Sequence, residues 1–367
     1  MTQPELPLDG LRVVEFTHMV MGPVVGLVLA DLGAEVLKIE PPGGDKTRRL
    51  PGSGAGYFPM YNRNKHSRCL DTRSEAGLAE ARRLCLEADI VIENFRPGAM
   101  DKLGLGYAAL AADNPGLIYC SLKGFLQGPY AHRTALDELT QMMGGLAYMT
   151  GLPGKPMRAG ASVVDVTGGM FGVIGILAAL EQRRRSGQGQ HVQSALFETT
   201  AFLVGQHMAQ HAVSGQALQP MSVRTSAWAV YDIFDTADGE QVFVAVVSDT
   251  QWRAFCEAFG WHDWAADPDL AGNGGRVARR EQFMPVIRAS FGKLNKQVLM
   301  DRIEAIGLPF APINSPEDLI DDPHLNAGGL VEVTLADGRK AKLPALPLAF
   351  GEHRPGLRHD LPAVQGE

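Results

Sequence analysis

The chain has 367 residues, 45% of them hydrophobic and 20% charged, which is the balance of an ordinary globular protein too long for one simple core. With 41 acidic against 34 basic residues its net charge is −7, so nucleic acid is excluded as a main partner, because phosphate binding demands clustered positive charge. None of the 4 cysteines forms a C-x-x-C pair, which removes zinc ribbons and dithiol redox motifs from consideration and suits a reducing compartment.

The first third alternates strand and helix. Residues 11–16 (Leu-Arg-Val-Val-Glu-Phe) form a predicted buried strand, 22–33 a helix with Val24, Val25, Leu27, Val28 and Leu29, and 34–40 the next strand, ended by Pro41-Pro42-Gly43-Gly44. Residues 74–88 have helical spacing with Leu78, Ala81, Leu84 and Cys85 on one face; 89–93 and 117–122 are two further strands. Strands alternating with helices at this spacing predict an α/β fold with a doubly wound, Rossmann-like parallel sheet. A long apolar helix over 171–180 follows, with Arg183-Arg184-Arg185 favouring its C-terminus, then a turn at 186–190 and a strand over 191–196. That apolar stretch is interrupted by Asp165 and glycines and ends in Glu181, against a membrane span.

A helical stretch from about Glu198 to Val213 leads into an irregular polar stretch to Ser226. The pattern then changes. Residues 230–235 and 241–247 flank Ala237-Asp238-Gly239, a hairpin signal, and helices are predicted over 249–259, 276–291 and 296–306. A second Ala-Asp-Gly turn at 336–338 lies between 330–334 and 340–343. The expected organisation is a large domain from 1–200 and 325–367, a linker over 201–226, and a smaller α+β domain over 227–324. The start of the chain lacks a signal-peptide pattern, so a soluble cytoplasmic protein is expected.

Parallel sheets of this type bind ligands beyond the carboxyl ends of their strands, here the loops 18–23, 41–45, 94–98 and 123–124. The first loop is not G-x-G-x-x-G and no P-loop is present, so a nicotinamide or nucleotide-hydrolysing enzyme is not indicated. No ligand-spaced His/Cys cluster calls for a metal. Asp165 is the most informative residue. It is flanked by Val164 and Val166, just ahead of the apolar helix, with Thr167-Gly168-Gly169 as a turn. A carboxylate is costly in such surroundings without a reason. Two readings stand: an N-cap for the helix, or a carboxylate nucleophile seated where a helix N-terminus favours negative charge.

Several strings in order resemble the class III CoA-transferases, the CaiB/BaiF family of formyl-CoA transferase, carnitine CoA-transferase and α-methylacyl-CoA racemase. These are Leu8-Asp9-Gly10-Leu11-Arg12-Val13, Leu32 to Glu40, Asn64-Lys65-His66-Ser67 with Leu70-Asp71, Glu93-Asn94-Phe95-Arg96-Pro97-Gly98 with Leu103 to Tyr107, Gly175 to Glu181, and Gly187-Gln188-Gly189-Gln190. The resemblance spans nearly the whole chain. It implies that Asp165 is the acyl-accepting nucleophile, with coenzyme A arriving as part of the substrate and no permanently bound cofactor. It places CoA contacts at His18, Val20, Met21, Leu70, Asp71, Thr72, Arg73, Asn94, Phe95, Arg96, Lys102 and Asp137. Pro41 stands where formyl-CoA transferase has an arginine, so Lys46 or Arg48 is expected to share the phosphate contacts. Backbone amides near Gly168-Gly169 or Gly144-Gly145 are candidate oxyanion donors.

The racemase branch uses a histidine and an aspartate as paired acid and base. Its histidine position holds Leu136 here, and His132 is out of register, which favours acyl transfer. The glycine-rich loop of formyl-CoA transferase is replaced by residues 222–228, against oxalate/formyl specificity. A non-catalytic CoA-binding protein is a further alternative. The expected partners are an acyl-CoA and a carboxylic acid, with Arg224 a candidate for the distal carboxylate of a dicarboxylic acid or else a surface charge. The resemblance also implies an interlocked homodimer.

Overall fold

A computed structural model of the protein describes residues 6–224 and 226–364. The chain divides into two compact units, Met1–Val223 with Asp322–Glu367, and Arg224–Asp321.

The first unit is built on six parallel strands: β1 (Arg12–Phe16), β2 (Glu35–Glu40), β3 (Lys65–Cys69), β4 (Ile90–Glu93), β5 (Ile118–Lys123) and β6 (His191–Ala195), in the order β3-β2-β1-β4-β5-β6. The strand order reverses between β1 and β4, which opens a crevice beyond their carboxyl ends. Alternate residues of each strand feed opposite faces. Val13, Ile90, Ile92, Ile118, Cys120 and Leu122 join one apolar layer, under α1 (Met21–Asp31) and the 24-residue α8 (Val163–Ser186). Val14, Val91, Leu117 and Tyr119 join the other, with Ala81 and Cys85 from α3 (Glu75–Glu87). The short helices α2 (Tyr57–Tyr61), α4 (Ala99–Lys102), α5 (Tyr107–Ala111), α6 (Asp137–Met143) and α7 (Leu146–Thr150) fill the connections, and α9 (Leu196–Leu203) and α10 (Gly205–Ser214) follow β6.

Among the described residues α8 alone is long and apolar enough by composition to cross a membrane, yet it lies against α1, β5 and β6. It ends at Gly187 in the left-handed region (φ 71°), where Arg183 reaches Asp89 (3.1 Å) and the carbonyl of Gly116 (3.1 Å). Its start corrects the sequence expectation. Asp165 is not the N-cap but lies in the first turn, and Thr167-Gly168-Gly169 is helix, not a turn. Those glycines are small because α1 is near: a Cβ on Gly169 would lie 2.8 Å from the Met21 carbonyl oxygen.

β3 was not evident in the sequence. Its inward residues are polar because they close a buried ionic layer. Lys65 Nζ donates to both Glu15 carboxylate oxygens (3.0 Å each), to the Pro23 carbonyl (2.9 Å) and to Asn62 (3.3 Å). Lys38 Nζ donates to the Thr17 carbonyl (2.6 Å) and pairs with Asp45 (3.0 Å). Lys38 thus grips the backbone of the β1–α1 loop and Lys65 that of the first turn of α1. Burial lowers the Lys65 ammonium to about 8 despite Glu15.

The chain returns to this unit at α16 (Pro323–Asn326) and the hairpin β10 (Leu330–Thr334)–β11 (Lys340–Pro344). Asn64, at φ 61°, anchors the tail by accepting the amides of Arg358 (2.6 Å) and His359 (2.8 Å). The stretch after α10 is also tied to this unit: Tyr148 Oη donates to the Leu218 carbonyl and Ser222 Oγ to that of Gly151.

The second unit has the antiparallel sheet β7 (Val230–Asp235), β8 (Gln241–Val246) and β9 (Phe310–Pro312), with α11 (Asp249–Ala258), α12 (His262–Ala266), α13 (Asn273–Ala278), α14 (Arg280–Phe291) and α15 (Lys296–Ala305). Trp252, Phe255, Phe283 and Phe291 form its core. The single helix expected over 276–291 is two, parted at Arg279.

Candidate active site

The loop after β1 and the loop after β4 are locked together at the switch point. Asn94 Nδ2 donates to the His18 carbonyl (2.8 Å) and the His18 amide donates to Asn94 Oδ1 (3.1 Å). Met19 between them sits in the left-handed region (φ 64°), a conformation costing of order 1–2 kcal/mol for an L-residue. Backbone strain of this kind is sustained where the surroundings over-determine it.

Two cavities meet at this bridge, sharing His18, Met19 and Phe95. The larger, about 720 Å³, is lined by Val20, Met21, Asn94, Arg96, Lys123, Gly124, His132, Arg133, Leu136, Asp137, Arg158, Ser162 and Asp165, among others. The smaller, about 510 Å³, has apolar walls from Ile39, Leu50, Leu70 and Phe95, with Lys46, Asp71, Thr72 and Arg73. Asp165 and every CoA contact named from the resemblance lie on one of the two cavities except Lys102, which is exposed on α4 and lines neither. Arg48 is also elsewhere engaged. It grips Glu40 with two hydrogen bonds (2.8 and 2.6 Å) and stacks on Phe58 (3.8 Å), which stiffens the loop after β2. Arg73 pairs with Asp71 at 3.1 Å on the exposed rim. Gly168-Gly169 and Gly144-Gly145 are not in the wall of the Asp165 cavity, so the oxyanion donors expected there are not placed to act.

Asp165 is half-buried in the first turn of α8. The amides of Val164 and Asp165 are taken by Asp137 Oδ2, at 2.8 and 3.0 Å. Asp137, buried at the start of α6, thus supplies the cap that the chain next to α8 lacks. Its other oxygen accepts from Gln141 Nε2 (2.5 Å), and Gln141 Oε1 accepts the Ala159 amide (2.8 Å), which fixes the strand of chain leading into α8. Burial, then the Asp137 charge, push the Asp165 carboxyl up to about 7, with the Arg158 guanidinium opposing them. Near neutral pH the group is shared between its acid and its carboxylate, so it can act as a nucleophile without a separate base.

Sequence reasoning missed Arg158 and Tyr57 in this cavity. Arg158 lies in a polar loop with no periodicity, and Tyr57 on a five-residue helix. His132, out of register with the racemase histidine, nonetheless lines the cavity, and Leu136 is exposed to it. Arg224 belongs to the second unit, and the cavity walls come from the first.

The sequence matches the model of "CoA-transferase family III" over residues 8–367. The chain is 36% identical to succinate–glutarate CoA-transferase of Agrobacterium fabrum, across 97% of this chain and 92% of that one. It is 35% identical to acetyl-CoA:oxalate CoA-transferase of Acetobacter aceti, across 90% and 88%. A crystal structure of a CaiB/BaiF family protein from Brucella suis superposes with a TM-score of 0.85 at 35% identity, covering 98% and 97% of the two chains. The chain belongs to CoA-transferase family III and is an enzyme of that class.

Proposed function

We propose that the protein moves CoA from an acyl-CoA thioester to a free carboxylic acid through covalent intermediates on Asp165. The observation that carries this reading is a carboxylate held near neutrality in the wall of the large cavity at the sheet's switch point.

The Asp165 carboxylate attacks the thioester carbonyl, forming a mixed anhydride and releasing CoA thiolate. The thiolate attacks the aspartyl carbonyl of the anhydride, releasing the first acid as its carboxylate and leaving aspartyl-CoA thioester. The incoming acid's carboxylate attacks that thioester, giving a second mixed anhydride and thiolate. The thiolate then takes the new acyl group, and Asp165 is regenerated. Each attack gains from confinement, since holding reactants in contact replaces a bimolecular encounter. The apolar walls of the smaller cavity suit adenine, and Arg73, Lys46 and Arg96 suit the phosphates. Coenzyme A is a substrate in this scheme, with no permanently bound cofactor.

The named relatives act on succinate, glutarate, acetyl-CoA and oxalate, so a short carboxylic acid is the proposed acceptor. The sparse cysteine content, 4 in 367 residues with no C-x-x-C pair, fits a reducing cytoplasmic setting. We also infer the homodimer and the large and small domains that the family resemblance implies. Exposed Met170, Ile174 and Leu177 along α8, with Phe202 and Met208 beyond it, offer an apolar face for a second chain.

The test is acyl exchange between a panel of acyl-CoAs and carboxylic acids, followed by mass spectrometry. Wild-type exchange that disappears in Asp165→Ala, with hydroxylamine trapping a label on Asp165 during turnover, supports the scheme. Exchange surviving in Asp165→Ala removes the nucleophile. Deuterium wash-in at the α-carbon of a 2-methylacyl-CoA without exchange supports the racemase alternative, for which His132 lies on the same cavity.

A further inference from the structure

We propose that Arg158 reads the second carboxylate of the acceptor acid, making the enzyme selective for short dicarboxylic acids over monocarboxylic acids of equal length. This assignment rests on the acyl-exchange reading above.

Arg158 lines the Asp165 cavity with its side chain 38% exposed. Two backbone carbonyls aim it: Nε donates to Ala159 O (3.1 Å) and Nη2 to Ala161 O (3.2 Å). Carbonyls orient a guanidinium without neutralising it. It forms two long ion pairs, with Asp137 Oδ1 at 3.9 Å and Glu138 Oε2 at 3.7 Å, both beyond hydrogen-bonding range. A ligand carboxylate in direct contact would bind the guanidinium more closely than either. It also reaches Asp165, whose carboxyl it pulls down.

The other arginines and the lysine in this wall are differently engaged. Arg96, exposed in the loop after β4, is assigned above to the CoA phosphates, Lys123 is bound to Glu93 (2.6 Å) and to the Phe95 carbonyl (2.9 Å), and Arg133 lies over the Tyr130 ring (4.3 Å). An acid whose reacting carboxylate meets Asp165 therefore has Arg158 as its nearby fixed cation. A second carboxylate at the end of a short chain gives the guanidinium a bidentate partner. A methyl group there leaves it unmatched in a cavity closed by substrate, so discrimination of roughly 10–100-fold is expected, the worth of one charge-assisted contact.

The experiment compares glutarate with pentanoate as acceptors, at one constant acyl-CoA donor, in wild type, Arg158→Gln and Arg158→Lys. Wild type is expected to favour glutarate in kcat/KM by about 10–100-fold. In Arg158→Gln that ratio falls to near 1 through the acid's KM, and Arg158→Lys retains part of it. Equal losses for both acids would overturn the assignment, since Arg158 would then act only through Asp165. Binding of each acid in the presence of CoA, measured calorimetrically, decides the case without turnover. Glutarate binding lost in Arg158→Gln supports the assignment, and binding that is unchanged, or no tighter than that of pentanoate in wild type, overturns it. Absence of exchange in wild type for every acid would instead fault the transferase reading and leave the binding result to stand.

Discussion

Asp137 Oδ2 accepts the amide of Asp165 at 3.0 Å, so one carboxylate holds the backbone of the other while its charge opposes ionisation of the other's side chain. Asp137 therefore fixes the position of Asp165 and adds to the burial that raises its carboxyl.

This pairing predicts a pH profile. The proposed nucleophile must be ionised to attack, so kcat/KM for exchange should rise with pH through about 7 and then level off. Asp137→Asn removes the like charge and keeps an oxygen for the α8 amides. The rise should move to lower pH by roughly one unit while remaining above the usual aspartate range, because burial, the largest cause, persists. Rates measured across neutral pH check this. A rise that stays in place or moves upward would separate Asp137 from the charge state of Asp165.

The same shift predicts a stability effect. With its carboxyl raised from 3.8 to about 7, the folded protein keeps a proton that the unfolded chain releases between those values. Stability should fall as pH rises through that window, and the penalty is complete above it. Asp165→Asn carries no charge to bury. Its Tm should exceed that of wild type at pH 8 and match it near pH 4, in thermal melts of the two proteins. A higher wild-type Tm at pH 8 would show that the carboxylate is stabilised where it sits.

Much of the sheet was legible because parallel strands covered on both faces are apolar throughout, as in Val13-Val14 and Ile90-Val91-Ile92. β3 was not, because its inward Lys65 and Ser67 answer Glu15 and Glu40 and give no hydrophobic period. The start of α8 was misplaced because Thr-Gly-Gly spells a turn locally, and only the approach of α1 explains glycine there. Asp165 stood out through its setting and the family strings. The role of Asp137 did not, since a cap that acts across 28 residues leaves no local spacing to read. Arg158 gains its meaning only when its loop is folded over the cavity.

Lys65 supports the site from beneath. Replacing it with methionine would leave Glu15, fully buried, with Lys38 at 3.5 Å and the Thr17 hydroxyl at 3.1 Å, and would take the ammonium from the Pro23 carbonyl. Breaking a buried pair from one side costs about 3–5 kcal/mol. At roughly 2–4 °C per kcal/mol for large domains, Lys65→Met should lower Tm by on the order of 10 °C. The double variant Glu15→Met/Lys65→Met should recover part of this loss, since the carboxylate left unmatched by the single change is then gone. Melting curves for the three proteins check the ordering, and a single variant as stable as wild type would contradict it.

The exposed face of α8 predicts the assembly state. Met170, Ile174 and Leu177 recur at helical spacing and are 49%, 59% and 39% exposed in the single chain. Such a row on a central helix needs cover, and a second copy is the proposed occupant. Interlocked chains cannot separate without unfolding, so light scattering should give twice the chain mass at every concentration down to the nanomolar range. Ile174→Glu would place a charge where apolar surface is to be buried, and it should yield monomer or aggregate in place of that species. A wild-type mass that halves on dilution would rule out interlocking, and an Ile174→Glu protein that still assembles normally would put the interface elsewhere.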